Sequence, residues 1–189
     1  ALGGIIPQFR RTKQYLNALF FATYSWAIFS LLAPVVWICV TLLPKFSMRW
    51  AFMRRCTRLL AYATATPLKV KGMENLPTEG RSYVLVANHA SFLDSFALVA
   101  ALPGHFRFIA KSELSQTFFT RIPLRKIHTE FVERFEVSKS VHDTEHLRTV
   151  LESGHALLFF PEGTYSRIPG LMPFRLGAFS VAAQAGVPV

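Results

Sequence analysis

No acidic residue precedes Glu74. The first 73 residues carry ten basic side chains (Arg10, Arg11, Lys13, Lys45, Arg49, Arg54, Arg55, Arg58, Lys69 and Lys71) and nothing of opposite sign to pair with them. The remaining residues hold eleven basic and eleven acidic side chains, so the whole net charge of +10 sits in the amino-terminal segment. Cysteine is nearly absent. Cys39 lies in an apolar run and Cys56 among arginines, a spacing that fits neither a disulfide framework nor a thiolate metal site. There is no Gly-x-Ser-x-Gly, no phosphate-binding Gly-Lys-Ser and no Gly-x-Gly-x-x-Gly. Their absence argues against elbow-type hydrolases, nucleotidases and dinucleotide-dependent dehydrogenases. Internal repeats, low-complexity tracts and Gly/Ser linkers are missing as well, and 189 residues then allow one domain with an appendage.

What the chain does have is apolar length. Tyr15 to Leu43 runs 29 residues without a charge. As a helix it would measure ~43 Å, more than the ~30 Å of a bilayer's hydrocarbon core. Pro34 is expected to kink or break it into Tyr15–Ala33 and Val35–Leu43. Basic residues flank both ends, so charge does not choose an orientation. One tilted span, a re-entrant hairpin with both ends cytoplasmic, or helices lying in one leaflet all remain open. Residues 45–65 mix Phe46, Met48, Trp50, Phe52, Leu59 and Leu60 with arginines, which predicts a basic amphipathic helix on an anionic membrane surface. A basic patch also suits nucleic acid. An adjacent uncharged 29-residue run has no use there, so no nucleic-acid partner is expected.

Beyond Thr66-Pro67, where the membrane-associated segment (1–66) should give way to a catalytic domain (67–189), the pattern alternates. Strands are expected at Leu68–Val70, Tyr83–Ala87, Phe106–Ala110, Ile127–Val132 and Ala156–Phe160. Helices are expected at Phe92–Leu102, Lys139–Glu152 and Gly177–Ala185, with a further strand beginning at Val187-Pro188-Val189. This predicts an α/β fold, a mixed sheet flanked by helices. The chain starts without Met and stops inside what should be a strand, so it reads as a fragment.

Two polar clusters follow buried strands, which is where open α/β sheets keep their ligands. The first is Asn88-His89-Ala90-Ser91-Phe92-Leu93-Asp94. On a continuous helix His89 and Asp94 would stand about 140° apart, at ~100° per residue. Because His89 precedes Ser91, the expected helix cap, the turn can fold its imidazole back within reach of Asp94. A neutral His can then take a proton from a hydroxyl while the carboxylate fixes its tautomer. A His and Asp that merely cap a helix would look the same. The second cluster, Pro161-Glu162-Gly163-Thr164-Tyr165-Ser166-Arg167, joins a tight glycine turn to donors suited to a phosphate.

Together, Asn-His-x-Ser-x-x-Asp and Phe-Pro-Glu-Gly-Thr resemble the glycerolipid acyltransferases, the family of the bacterial 1-acylglycerol-3-phosphate acyltransferases. The similarity runs from about Leu68 to Val189. It implies a membrane-associated enzyme that moves a fatty acyl group from acyl-CoA or acyl-carrier protein to the free hydroxyl of 1-acylglycerol 3-phosphate, at the cytoplasmic face of the membrane. His89 would be the general base and Asp94 its partner. Glu162, Gly163, Thr164, Arg167 and Arg134 would form the acceptor site, with Lys111 and Arg175 as further phosphate contacts. No metal or bound cofactor is implied, and an amino-terminal helical pair entering one leaflet is.

The chain departs from the family pattern at Tyr165, where an Arg is usual, and at Phe174-Arg175-Leu176-Gly177, where Phe-Lys-x-Gly is usual. Tyr165 offers no charge, so phosphate pairing falls to the arginines, and a different lysophospholipid or hydroxylated lipid becomes a rival acceptor. A hydrolase using the same dyad on water, and a non-catalytic lipid-binding module of a larger protein, are the rivals from other classes. His142 and His146, four apart beside Asp143, have a spacing that metals accept, but no third ligand is apparent and a solvated helix face explains them. His105, His128 and His155 read as structural.

Overall fold

The computed structural model describes residues 5–78, 80–133, 137–164 and 170–189. Four strands, β1 (Val84–Val86), β2 (Phe106–Lys111), β3 (Glu130–Val132) and β4 (Ala156–Phe159), form one sheet in the order β1-β4-β2-β3. All the described pairings are parallel, with Leu85 opposite Leu158, Phe108 opposite Leu158 and Ala110 opposite Phe131. The sheet is thus parallel where a mixed one was expected, and the α/β class with flanking helices holds. Parallel strands need covered faces, and these are short apolar runs buried on both sides. Strand alternation divides the core. Phe106, Phe108, Ala156 and Leu158 point to one face, while Ile109 and Leu157 point to the other.

The second face is covered by α5 (Val137–Glu152) and α6 (Gly177–Ala185) through Leu147, Val150, Leu151, Ala178, Val181 and Ala182. The first is covered by α3 (Leu93–Ala101), α4 (Phe118–Lys126) and a helical pair, α1 (Ile5–Leu42) and α2 (Phe46–Ala63). Val40, Trp50 and Met53 from that pair are buried in the same cluster as Val99, Phe106 and Leu158.

α1 runs through Pro34 as one helix of 38 residues. The ring forfeits the hydrogen bond to the Ser30 carbonyl without ending the helix. Its stretch from Arg11 to Leu42 is long and apolar enough to cross a membrane, and only 6% of its most apolar window is buried. A core helix of a soluble protein would be mostly buried. Here Leu16, Phe20, Trp26, Leu31 and Leu42 are all exposed.

The arginines of α2 behave differently from the expectation of a membrane-facing row. Arg49 donates to the carbonyls of Leu43, Pro44 and Lys126. Arg54 donates to Gly104, and Arg58 to Ala100 at 2.8 Å. These acceptors include the orphan carbonyls that close α3 and α4, where positive charge is favoured. Each such bond to a charged donor is worth ~1.5–3 kcal/mol. Three guanidinium groups therefore bolt the helices together, and Arg55 is left exposed.

Other differences are local. Leu68–Val70 is exposed and forms no strand, because none of the described strands pairs with it. The glycine-free stretch after Phe118 is helix α4, closed by His128 at φ +58 with Thr129 N–H returning to Leu124 O. His128 occupies the left-handed position that glycine usually fills. The expected Val187–Val189 strand is not formed: these residues lie beside β1 and meet it through a single backbone bond, Val84 N–H to Pro188 O at 2.9 Å.

Candidate active site

β1 delivers the chain to the carboxyl edge of the sheet, where Ala87 N–H still bonds Phe159 O at 3.0 Å before the turn begins. α3 starts at Leu93, one residue later than expected, and Ser91 Oγ accepts the Leu93 N–H at 3.2 Å. Asp94 then lies in the first helical turn and its Oδ2 gathers three donors: His89 Nδ1 at 3.0 Å, Ala90 N–H at 2.8 Å and Ser91 N–H at 2.8 Å. The turn folds the imidazole back over the helix start. Burial alone would push the Asp94 carboxyl up. The Ser91 amide, the His89 ring and the Ala90 amide together outweigh that and hold it below its usual value. Phe160, at the end of β4, stacks under the His89 ring with centroids 4.1 Å apart and planes at 20°.

Glu162 is 5% exposed. Its Oε1 accepts His89 N–H at 2.7 Å and its Oε2 accepts Met172 N–H at 3.0 Å. Gly163 follows at φ +76, with its N–H on Phe160 O. A Cβ there would stand 2.9 Å from Arg175 Nε and 3.3 Å from its Cδ, so the bare backbone lets the Arg175 stem cross the turn. Arg175 is held in place by its own N–H on Pro161 O at 2.8 Å.

His89, Gly163, Thr164, Lys111 and Arg175 all line one cavity of about 970 Å³. Its remaining wall is mostly apolar and comes from β2 (Phe108 and Ile109) and four helices, with Phe29, Val36 and Trp37 of α1, Cys56 and Leu60 of α2, Phe96 of α3, and Leu124 of α4 among them; the Glu113 carboxylate also lines it. Trp37 Nε1–H also bonds Phe119 O at 2.8 Å, tying α1 to the start of α4 across the cavity. The geometry is an imidazole–carboxylate pair and two cationic side chains at a space shaped for hydrocarbon.

Of the sequence-predicted site residues, the structure gathers His89, Asp94, Glu162, Gly163, Thr164, Lys111 and Arg175 at this edge. Arg134, Tyr165 and Arg167 lie outside the described residues. The amides of His89, Ala90, Ser91, Leu93 and Asp94 are each committed within the protein. Sequence reasoning missed Phe160 as the floor of the imidazole. It also missed the cavity face of α1, whose positions 29, 33, 36, 37 and 40 follow helical spacing but are hidden in a run apolar on every side. His146 bonds Glu130, itself paired with Arg107, and no metal-binding group of three His, Cys, Asp or Glu occurs among the described residues.

Residues 67–189 match the family model described as Acyltransferase. The chain belongs to the acyltransferase family. It is 33% identical over 120 residues to a chloroplast 1-acyl-sn-glycerol-3-phosphate acyltransferase of Brassica napus, covering 64% of this chain and 35% of that one. It is 36% identical over 134 residues to a 1-acyl-sn-glycerol-3-phosphate acyltransferase of Chlamydomonas reinhardtii, covering 69% and 40%. The chain thus spans about a third to two fifths of the length of these relatives. Its fold is similar to the crystal structure of the 1-acyl-sn-glycerophosphate acyltransferase PlsC from Thermotoga maritima, with a TM-score of 0.71 at 21% identity, covering 92% of this acyltransferase chain and 72% of that one. At that coverage the likeness takes in helices α1 and α2 as well as the sheet.

Proposed function

We propose that the protein transfers a fatty acyl group from the thioester of acyl-CoA or acyl-carrier protein to the free hydroxyl of 1-acylglycerol 3-phosphate, giving phosphatidate at a membrane surface. The observation that carries this reading is the His89–Asp94 pair at the mouth of an apolar cavity of about 970 Å³. With Nδ1 turned to Asp94, Nε2 is the nitrogen that takes the proton from the acceptor hydroxyl. The freed oxygen attacks the thioester carbonyl. The tetrahedral intermediate collapses, its C–S bond breaks, and the departing thiolate recovers the proton from the imidazolium. An ester and a free thiol result, and no acyl-enzyme forms. Positioned proton transfer of this kind contributes ~10²–10⁴-fold.

The acyl chain takes the cavity under α1 and α4, where burial yields ~0.8 kcal/mol per methylene. Lys111 and Arg175 face the acceptor's phosphate, with Arg134 and Arg167 as their partners, because guanidinium groups match phosphate oxygens with parallel donors. Neither a metal nor a bound cofactor enters these steps. α1, with its exposed apolar surface, holds the enzyme in the membrane and sets the cavity mouth near the lipid acceptor.

The test is a panel of lysolipids offered to the purified protein in detergent or vesicles, with acyl-CoA and acyl-carrier protein as alternative donors. Formation of phosphatidate from 1-acylglycerol 3-phosphate, lost in His89→Ala, is the expected result. Equal release of free thiol without any acceptor would make the protein a thioester hydrolase. Absence of turnover with every donor and acceptor would leave a lipid-binding module.

A further inference from the structure

Glu162 stands in the segment where acceptor contacts were expected, yet its geometry gives it a different task. A carboxylate that is 5% exposed is costly unless its oxygens are satisfied. Here each oxygen has one backbone amide, and the two amides come from separate parts of the chain. His89, 73 residues upstream, carries the imidazole, and Met172, ten residues downstream, begins the return of the loop to Arg175. The His89 bond is short at 2.7 Å and the Met172 bond ordinary at 3.0 Å, and hydrogen bonds from amides to a charged acceptor are the strong ones.

We infer that Glu162 is a positioning residue: its carboxylate is a two-ended brace that fixes the His89 backbone on one side and the Met172–Arg175 loop on the other. Fixing the backbone at His89 sets where its ring lies on Phe160 and how it meets Asp94. Fixing Met172, together with Arg175 N–H on Pro161 O, sets the guanidinium across Gly163. One side chain therefore registers the proton acceptor and the cationic group against each other. This assignment rests on the roles proposed above for His89 and Arg175.

The discriminating series is Glu162→Gln, Glu162→Asp and Glu162→Ala. Gln keeps the length and one acceptor oxygen but turns its NH₂ toward the second amide. Asp keeps the charge and withdraws from both. A brace predicts that Gln retains more activity than Asp, whereas a charge acting on substrate predicts the reverse order. In Glu162→Gln, kcat should fall roughly 10- to 100-fold, as expected when a buried amide is left unpaired. The acceptor KM should rise several-fold as well, because the Met172–Arg175 loop loosens, and acceptor-independent thioester hydrolysis should fall in step with kcat. A rise in acceptor KM with hydrolysis unchanged would overturn the brace and make Glu162 an acceptor contact.

Hydrogen exchange measured on the full chain supplies a readout independent of activity. In Glu162→Gln, peptides spanning 88–95 and 170–176 should both exchange faster, while the α5 peptides do not. If neither distant peptide changes, the brace is wrong even should the enzyme be an acyltransferase. If both change in a protein with no acyltransfer activity, the brace stands and the functional reading falls.

Discussion

Replacing Asp94 by Asn tests the site at its centre. The amides of Ala90 and Ser91 both point at Oδ2 from 2.8 Å and need an oxygen there. An Asn carboxamide is therefore held with its oxygen inward and its NH₂ outward. That oxygen still accepts from His89 Nδ1–H, so the tautomer that presents Nε2 as the base survives. What disappears is the negative charge opposite the imidazolium that forms in the transition state. A hydrogen bond to a charged group is worth ~1.5–3 kcal/mol against ~0.5–1.5 for a neutral one. The difference, ~1–2 kcal/mol, lowers kcat by roughly 5- to 30-fold at 1.36 kcal/mol per decade. Where such a substitution lets the wrong tautomer in, the loss is nearer ~10⁴-fold. Asp94→Ala removes the oxygen from all three donors and should approach the ~10²–10⁴-fold loss of His89→Ala. It should also lower the melting temperature, since a lost helix-start cap costs ~1 kcal/mol. The Asp94 carboxyl is held below its ordinary value, so its contribution is present above ~3.9 and is lost only as pH falls through the depressed value. The ratio of wild type to Asp94→Asn should consequently stay flat from about pH 5 upward. Steady-state kinetics of the three variants decides the matter. Equal losses in Asn and Ala, or a loss near 10⁴ in Asn, would refute the amide clamp. Near-normal turnover in both would remove the pair from the chemistry.

Gly163→Ala places a methyl 2.9 Å from Arg175 Nε on a left-handed backbone, so the acceptor KM should rise several-fold and thermal stability should drop by ~1–2 kcal/mol. An unchanged KM would detach Arg175 from the acceptor. The protein should stay with membranes through a high-salt wash and need detergent for release, because burial of α1 ignores salt while surface charge attraction is screened within ~8–10 Å. Release by salt alone would refute insertion of α1. His128 and His155 are both depressed, first by burial and then by Arg107 beside them, so the folded state prefers them neutral. Their contribution is complete above the ordinary histidine value of ~6.5 and fades as pH falls below it. The effect should be modest, since both side chains are only partly withdrawn from solvent, and a melting temperature that rises between pH 7 and pH 5.5 would contradict it.

The parts of this fold that were legible in the sequence are those written locally. Short apolar runs ending in polar clusters predicted β1, β2 and β4, and helical spacing predicted α3, α5 and α6 to within a residue or two. The same runs misled at Leu68–Val70, because a strand exists only where another strand pairs with it, and nothing in a local pattern supplies the partner. α4 was missed for the opposite reason: Pro123 inside it and His128 at its left-handed end replaced the usual proline and glycine punctuation. The arginines of α2 illustrate a third limit. Their charge was visible, but a guanidinium that caps a neighbouring helix has the same sequence signature as one that meets a headgroup.

The site divides along the same line. The sequence put His89 five residues before Asp94, and a turn of that length closes on itself, so their contact followed from local chemistry. The reach of Glu162 to His89 spans 73 residues and depends on β1 and β4 being neighbours in the sheet. Side by side and parallel, those strands end at the same edge, with Ala87 N–H on Phe159 O as the last rung. Each motif then begins one or two residues past that rung. The register of β1 against β4 therefore fixes the height of the base over Phe160 and of Glu162 beneath it. A slip of that register by one residue would turn every strand side chain to the opposite face. It would put Leu157 where Ala156 sits and Phe159 where Leu158 sits, against Trp50, Phe106 and Phe108, and such overpacking costs ~1–3 kcal/mol. The order of small and large side chains along β4 is in this way what holds the two polar clusters at bonding distance.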